Sequence, residues 1–570
     1  MYTLGISCYY HDSAAAILKN GKIVAAVEEE RFSRDKFDDG FPKMAINYCM
    51  EQAGITAKDL DCVAFYDKSV LKFERLLDNY ISVAPRGLRS FLDVIPKWIH
   101  KRLWVKDEIK KQLKYSGKII FPEHHLSHAA YSYFSSEFDK AAILTVDGVG
   151  EWTSTSYGSA EGNKVKLIGD IRWPHSLGMF YSAFTYYLGF RVNEGEYKLM
   201  GLSSYGKPKY HDLILNELID VKEDGSIHLN MKYFAFTFDN IMITKKFEKL
   251  FDVPTRKEDS KIEQIHFDIG ASAQSVLEEI LLKMVNHVFE KTKEKNLCLG
   301  GGVALNGVAN NRILKEGPFE NIHIPPSPGD AGSAVGCAAY AYYSFLNNNR
   351  IIEEDSSEII KNNVYVGPEY SNEKIKSFLI SNNIQYEKFD NQDLLKKTAK
   401  LIEEQNVVGW YQGRMEWGPR ALGNRSILAD PRNEKMKEIL NEKIKHREKF
   451  RPFAPSILEE YAKEYFDIDI PSPYMLQVVK VKKPKIIPAI THIDGTGRLQ
   501  TVSRKVNPMY YDLISEFFKL TDVPVLINTS MNVRGEPIVN TPEQAYQMIV
   551  KTDMDYLVMG KYLLQRKNRK

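Results

Sequence analysis

The chain reads as an α/β protein with two domains, and three observations predict this. Apolar runs of strand length, among them YTLGIS (2–7), LDCVAFYD (60–67) and AAILTVD (141–147), alternate with longer amphipathic stretches such as 268–292. In KNLCLGGGVALNGVANNRIL a strand, three glycines and a helix follow one another, a junction suited to holding a ligand at a helix N-terminus. Residues 345–363, FLNNNRIIEEDSSEIIKNN, are polar and charged without an apolar face. A boundary is expected there, with one domain over 1–350, a linker over 351–365 and a second domain over 366–570.

Composition excludes several classes. The 570 residues are 44% hydrophobic and 26% charged, enough ordinary globular chain for two or three cores. A net charge of +3 is too balanced to imply nucleic acid. Cys8, Cys49, Cys62, Cys298 and Cys337 show no paired spacing, so no disulfide framework is expected. The N-terminus lacks a cationic region and a long apolar core, and no run of about twenty apolar residues occurs. The expectation is a cytoplasmic protein.

Taken in order, YTLGIS is a strand and YHDSAA a polar turn. Two further strands flank Asn20-Gly21, a strong hairpin signal. The charged EERFSRDK segment that follows is expected to be a solvated face. Residues 41–56 read as a helix. Residues 85–118 are basic and aromatic; they fit amphipathic helices on a core better than a surface for an acidic acceptor, glycolipid or RNA. The segment 141–171 reads as a hairpin with a glycine-rich turn, and 191–210 as a glycine-punctuated loop able to close over a nucleotide. No internal repeat is evident.

The chemistry-bearing residues fall into two groups. In EHHLSHAA, His124 and His128 are four apart, so a helix presents both imidazoles on one face. Asp147 ends a buried strand, and Asp330 sits in the loop PPSPGDAGSAVG. Two histidines and two carboxylates make a divalent-metal site; these ligand types leave manganese and zinc open. HHLSH lacks the Glu of HExxH, which disfavours a zinc peptidase. The second group is a set of glycine-spaced basic residues: Arg414, Arg420, Arg425, Arg432, Lys445, Arg447, Arg451, Arg498, Arg504 and Arg534, with Asn528 and Ser530 nearby. Guanidinium forks pair bidentately with phosphate oxygens, so this set reads as a phosphate site.

These motifs, in this order, resemble the NodU-type O-carbamoyltransferase family of nodulation, cephamycin and tobramycin type. The resemblance rests on GISCYYHDSAA, VEEERFSRDK, EHHLSHAAYSYF, TVDGVGEW, EYKLMGLSSYG, CLGGGVALN, PSPGDAGSAVG, EWGPRALGNRSILADPR, IKHREKFRPFAP and NTSMNVRGEPIV, and spans nearly the whole chain. It implies an actin-like ATPase domain, similar to threonylcarbamoyl-transfer proteins, followed by a YrdC-like α/β domain. It implies that carbamoyl phosphate and ATP give carbamoyl-adenylate and pyrophosphate in the second domain. An acceptor hydroxyl then takes the carbamoyl group in the first, and AMP leaves.

The resemblance also implies roles for single residues. The metal at His124, His128, Asp147 and Asp330 would be iron(II), with magnesium able to accompany ATP. His11 is the candidate base, and Lys36 a candidate for contact with nucleotide phosphate or acceptor. Gly148, Lys198, Gly301 and Asn306 are candidates for the nucleotide, and Arg420, Lys445, Arg451, Arg498, Asn528 and Ser530 for carbamoyl phosphate and ATP. The expected acceptor is sugar-containing, not a nucleic acid, and a homodimer is compatible. Two competing readings remain: a tRNA threonylcarbamoyl-transfer enzyme, and a non-catalytic actin-like ATP-binding scaffold.

Overall fold

The computed structural model describes residues 1–353, 355–448 and 451–566. The chain divides into two compact units. One comprises Met1–Val24 with Asp39–Ile352, the other Ala25–Asp38 with Glu353–Lys570.

The first unit holds two five-stranded sheets of the same design. The first contains β1 (Tyr2–Ser7), β2 (Ala14–Lys19), β3 (Lys22–Glu28), β4 (Cys62–Phe65) and β5 (Ile119–Ile120), ordered β3-β2-β1-β4-β5. β1 runs antiparallel to β2 and parallel to β4, with Leu4 opposite Ile17 and Val63. The next three strands are β6 (Lys140–Val146), β7 (Thr153–Glu161) and β8 (Lys164–Arg172). A small separate hairpin, β9 (Ile219–Val221) and β10 (Ile227–Leu229), precedes β11 (Asn296–Gly300) and β12 (Asn321–His323). The second sheet is ordered β12-β11-β6-β7-β8. Read from β8, both sheets follow one plan: a three-strand antiparallel meander whose first strand continues into two parallel strands. This duplicated topology is the actin-like plan. It has no counterpart as a sequence repeat, because strand order depends on which residues are apolar and not on their identity.

Close packing brings the sheets' helices together. Helix Ser333–Tyr340 lies on both β1 and helix His124–Phe134. Its small residues permit this: a Cβ on Gly336 would stand 1.9 Å from the carbonyl oxygen of Ser127, and one on Gly5 1.8 Å from that of Ala334. The Asn20-Gly21 hairpin forms as expected. Helices occupy Lys43–Ala53, Leu88–His100, Val105–Leu113 and Gln264–Thr292. The stretch expected as a loop over 191–210 contains instead a helix, Glu196–Ser203, which seats Leu199 and Leu202 in the core.

The second unit is one nine-stranded mixed sheet with flanking helices. Its strands are β13 (Glu387–Lys388), β14 (Val408–Tyr411), β15 (Arg425–Ala429), β16 (Ala454–Leu458), β17 (Gln477–Lys480), β18 (Thr496–Val502), β19 (Val525–Ser530), β20 (Tyr556–Met559) and β21 (Tyr562–Gln565). Their order is β13-β21-β20-β14-β15-β19-β16-β18-β17. One continuous core of Leu, Ile, Val and aromatic side chains covers it. Helix Ser356–Val364 lies within the stretch expected to be a linker.

The EERFSRDK segment is not a solvated face. Glu28, Glu29, Glu30 and Arg31 are buried, and Arg31 bonds Glu28, Glu30 and the carbonyl of Gly418. Arg34 donates to the carbonyls of Pro537 and Ile538, each at 2.7 Å. The charges have partners in the second unit, far along the chain, so local charge patterning could not show their burial.

Candidate metal centre and anion cluster

Helix His124–Phe134 follows β5 and directs both predicted histidines to one point. His124 Nε2 and His128 Nε2 are 3.1 Å apart. Asp147, one residue past β6, places Oδ2 3.2 Å from His124 Nε2 and 3.9 Å from His128 Nε2. Asp330, at the loop leading into helix Ser333–Tyr340, places Oδ1 3.5 and 3.4 Å from the same two nitrogens. All four side chains are buried, and their ligand atoms lie within 4.8 Å of one another.

The arrangement fits a cation. Both oxygens of Asp330 are buried with no hydrogen-bond partner among the described residues. Buried carboxylate oxygens without partners beside two converging imidazole nitrogens are costly unless a positive ion joins them. Burial would raise the carboxyl of Asp147, but the bond to His124 and the nearby His128 hold it well below its usual range. Asp330 is likewise held down, to about 2: burial opposes this, and His124 and His11 outweigh it.

A supporting shell orients the ligands, as metal sites require. Gly302 N donates to Asp147 Oδ1 at 2.7 Å. The Ser333 hydroxyl lies 3.2 Å from His128 Nδ1. Glu151 accepts from His124 N at 3.1 and 3.2 Å and from Lys68 N at 2.7 Å, fixing the start of the histidine helix. Gly302 belongs to the glycine run noted in the sequence, whereas Glu151, closing DGVGE, and Ser333, closing DAGS, carried no signal of their own there. His125 turns away and bonds Thr145 at 2.7 Å inside the second sheet, so it takes no part.

His11, in the turn between β1 and β2, reaches the same centre. Its Nε2 is 3.7 Å from Asp330 Oδ2, and its Nδ1 is 2.9 Å from Asp12 Oδ2. Burial lowers its pKa, but Asp12 and Asp330 outweigh this and raise it to about 10. A cation on Asp330 would withdraw part of that pull.

The nucleotide candidates divide. Gly301 adopts φ +86°, and a Cβ there would stand 2.2 Å from the carbonyl oxygen of Val146; the glycine run therefore presses against the end of β6. Gly148 accepts from the Ser176 hydroxyl at 2.6 Å, beside Asp147. Lys198 is buried, with its ammonium 5.9 Å from the Phe190 ring centroid. The Asn306 side chain is spent within the fold: it exchanges two hydrogen bonds with Gln274 and caps the next helix by accepting from Ala309 N.

The predicted phosphate residues gather on one face of the second unit's sheet. Asn528 Nδ2 donates to Ser456 Oγ at 3.1 Å and Gln500 Oε1 at 3.0 Å, which places β19, β16 and β18 side chains together. Ser530 and Arg498, two residues along their strands, project from that same face. The loop bearing Arg420 lies over it, since Ala421 O accepts from Asn528 and Leu422 O from Gln500. Lys445 Nζ donates to Ser530 O at 2.6 Å, Asn532 O at 2.9 Å and Asn532 Oδ1 at 2.8 Å. Burial, then Arg447, Arg451 and Lys36, push Lys445 down from its ordinary pKa, against the support of those oxygens. Lys36 is thus within the electrostatic reach of Lys445, in the same second unit.

An actin-like unit with a buried two-histidine, two-aspartate cluster, followed by an α/β unit with a basic cluster, is the combination found here, and the chain's relatives name its class as a transferase. The chain belongs to the carbamoyltransferase family: residues 2–339 match the family's N-terminal model, "Carbamoyltransferase N-terminus", and residues 399–566 its C-terminal one, "Carbamoyltransferase C-terminus". Over 99% of its length it is 49% identical to an uncharacterised Synechocystis protein, covering 97% of that chain. It is 36% identical to nodulation protein NolNO of Sinorhizobium fredii, over 98% of this chain and 79% of that one. Among solved structures, component A of the Acidaminococcus fermentans (R)-2-hydroxyglutaryl-CoA dehydratase is similar with a TM-score of 0.35 at 15% identity, covering 61% of this chain and all of that one.

Proposed function

We propose that this carbamoyltransferase is ATP-dependent and works on a hydroxyl, in two steps divided between its units. In the second unit, YrdC-like by family resemblance, water cleaves carbamoyl phosphate to carbamate and inorganic phosphate. A carbamate oxygen then attacks the α-phosphorus of ATP, giving carbamoyl-adenylate and pyrophosphate. Both substrates are polyanions, and Arg420, Lys445, Arg451, Arg498 and Lys36, with the Ser530 hydroxyl, supply the opposing charge and donors. In the first unit an acceptor hydroxyl attacks the carbamoyl carbon, forming the O–carbamoyl bond, and AMP leaves.

An alcohol is a poor nucleophile near neutral pH and needs a base. His11 would fill that role with a cation on Asp330 withdrawing the pull that otherwise keeps the ring protonated: Asp12 holds Nδ1 as the donor, and Nε2 is then free to accept the hydroxyl proton. His124, His128, Asp147 and Asp330 would hold a divalent ion, iron(II) by family resemblance, which supplies Lewis acidity toward a carbonyl or phosphate oxygen. Lys198 and the Gly148 amide would meet nucleotide phosphate, with Gly301, whose own amide donates to Pro328 O at 2.9 Å, shaping the turn beside them. The proposed acceptor is a small molecule bearing a sugar.

The single observation that carries this reading is the buried ligand set whose Asp330 oxygens lack hydrogen-bond partners beside His11. The test is acceptor-free: purified protein with ATP and carbamoyl phosphate should release pyrophosphate, and omission of carbamoyl phosphate should abolish it. Release independent of carbamoyl phosphate, or none from folded, metal-loaded protein, would count against donor activation.

A further inference from the structure

A buried guanidinium without an acceptor stands near the metal centre. Arg75, on helix Ser69–Val83, is 6% exposed. Its Nε is fully buried, and among the described residues no hydrogen-bond acceptor meets the guanidinium. The group lies over the indole of Trp173, 4.9 Å from the ring centroid. Trp173 is itself held by its Nε1, which donates to Asn79 Oδ1 at 2.9 Å, one turn along Arg75's own helix. The cation is therefore oriented but not bonded.

Its neighbours are already engaged. Asp67 takes Lys72 Nζ at 2.6 Å and the Ser69 hydroxyl at 3.3 Å. Glu151 takes the amides of Lys68 and His124. Glu151 and Asp67 lie within the electrostatic reach of Arg75, yet neither accepts from it. A buried guanidinium whose Nε–H has no acceptor is costly, and a bidentate oxyanion is the ligand that removes the cost.

The position points to the acceptor and not to the donor nucleotide. Tyr10 lies within the electrostatic reach of Arg75, and its ring centroid is 4.8 Å from that of His11. Lys72 lies 5.4 Å from the same tyrosine ring. Arg75 thus stands on the His11 side of the centre, where the hydroxyl losing its proton would be. The glycine run at 300–302 approaches from the Asp147 side.

We propose that Arg75 binds an anionic group, a carboxylate or a phosphate, carried by the acceptor molecule. This rests on the transfer reading above and narrows it: the acceptor is an acidic sugar or sugar phosphate. Arg75 is a specificity residue; Trp173 positions it.

The test uses the full chain and direct binding. Glucose 6-phosphate, glucuronate and glucose are titrated calorimetrically into the wild type, Arg75→Gln, Arg75→Lys and Arg451→Gln. At least one anionic sugar should bind about tenfold or more tighter than glucose, as a charged hydrogen bond supplies. That advantage should vanish in Arg75→Gln, fall in Arg75→Lys and survive in Arg451→Gln. Which anionic sugar shows it tells phosphate from carboxylate. Equal binding of all three by the wild type, or an advantage that survives Arg75→Gln, overturns the proposal, as does one lost only in Arg451→Gln. Should Arg75→Gln fail to fold, Arg75→Lys decides, because a single-point ammonium cannot replace the fork; an unchanged advantage there overturns it too. Pyrophosphate release by the wild type reports the transfer reading separately.

Discussion

The amide of Gly302 donates to Oδ1 of Asp147 at 2.7 Å, while Oδ2 of the same carboxylate faces His124 at 3.2 Å. The glycine run after β11 therefore aims a ligand. A Cβ on Gly302 would come within 2.9 Å of Asp147 Oδ1. Gly302→Ala should displace the carboxylate and lower metal affinity roughly 10–100-fold, the usual cost of losing an outer-shell partner. Metal content after dialysis against graded chelator measures this, and thermal unfolding of the same variant shows whether the fold persists. Unchanged retention would mean that the amide does not orient the ligand.

The division of chemistry between units makes a sharper prediction. His124→Ala and Asp330→Ala each remove a proposed metal ligand that belongs to the first unit, whereas the basic cluster belongs to the second. Carbamoyl transfer should fall by more than that outer-shell range, while pyrophosphate release dependent on carbamoyl phosphate persists within about twofold. Equal loss of both activities in a folded variant would refute the division.

Much of the four-residue cluster was legible because its signal is local. His124 and His128 share a helix face by spacing, and Asp147 ends an apolar run. Asp330 needed only its motif. The α/β class followed from alternating periods, and the Asn20-Gly21 hairpin from turn chemistry. Other features depend on distant partners and left no local trace. Arg31 and Arg34 look solvent-bound until Gly418, Pro537 and Ile538 supply their carbonyls. The duplicated sheets share an order but no repeated sequence. Asn306 carries the composition of a ligand contact and is used as a helix cap.

Acid sensitivity should centre in part on His323, in β12. Its Nε2 is 3.0 Å from the Ser135 hydroxyl, which itself donates to Tyr131 O, so the imidazole is the donor and neutral. Burial, then the Arg350 guanidinium, push its pKa from the ordinary 6.5 down to about 3. Between those values the unfolded chain binds a proton that the folded one refuses, so stability is lost as pH falls from 6.5 toward 3. His323→Gln keeps the donor and cannot titrate. Its acid-unfolding midpoint, followed by circular dichroism, should move to lower pH than the wild type; an unmoved or higher midpoint would remove His323 from the acid transition.

Lys36 tests which unit the segment 25–38 serves. It lies in the second unit, where its charge is felt by Lys445 together with those of Arg447 and Arg451. Arg451 is buried and pairs with Glu448 at 2.7 Å. Like charges held this close are unfavourable by themselves and are compensated by a polyanion. Lys36→Ala and Arg451→Ala should therefore each raise the KM for ATP or carbamoyl phosphate in pyrophosphate release by roughly 10–100-fold, the range for a lost charge-assisted hydrogen bond. Relief of repulsion should at the same time leave Lys36→Ala no less stable to heat, whereas Arg451→Ala also loses the Glu448 pair and should be less stable. Rescue of Lys36→Ala by Lys36→Arg, which restores the charge, separates an electrostatic role from packing. A Lys36→Ala variant with normal pyrophosphate release but defective transfer would instead assign the residue to the acceptor, and the basic cluster would then act without it.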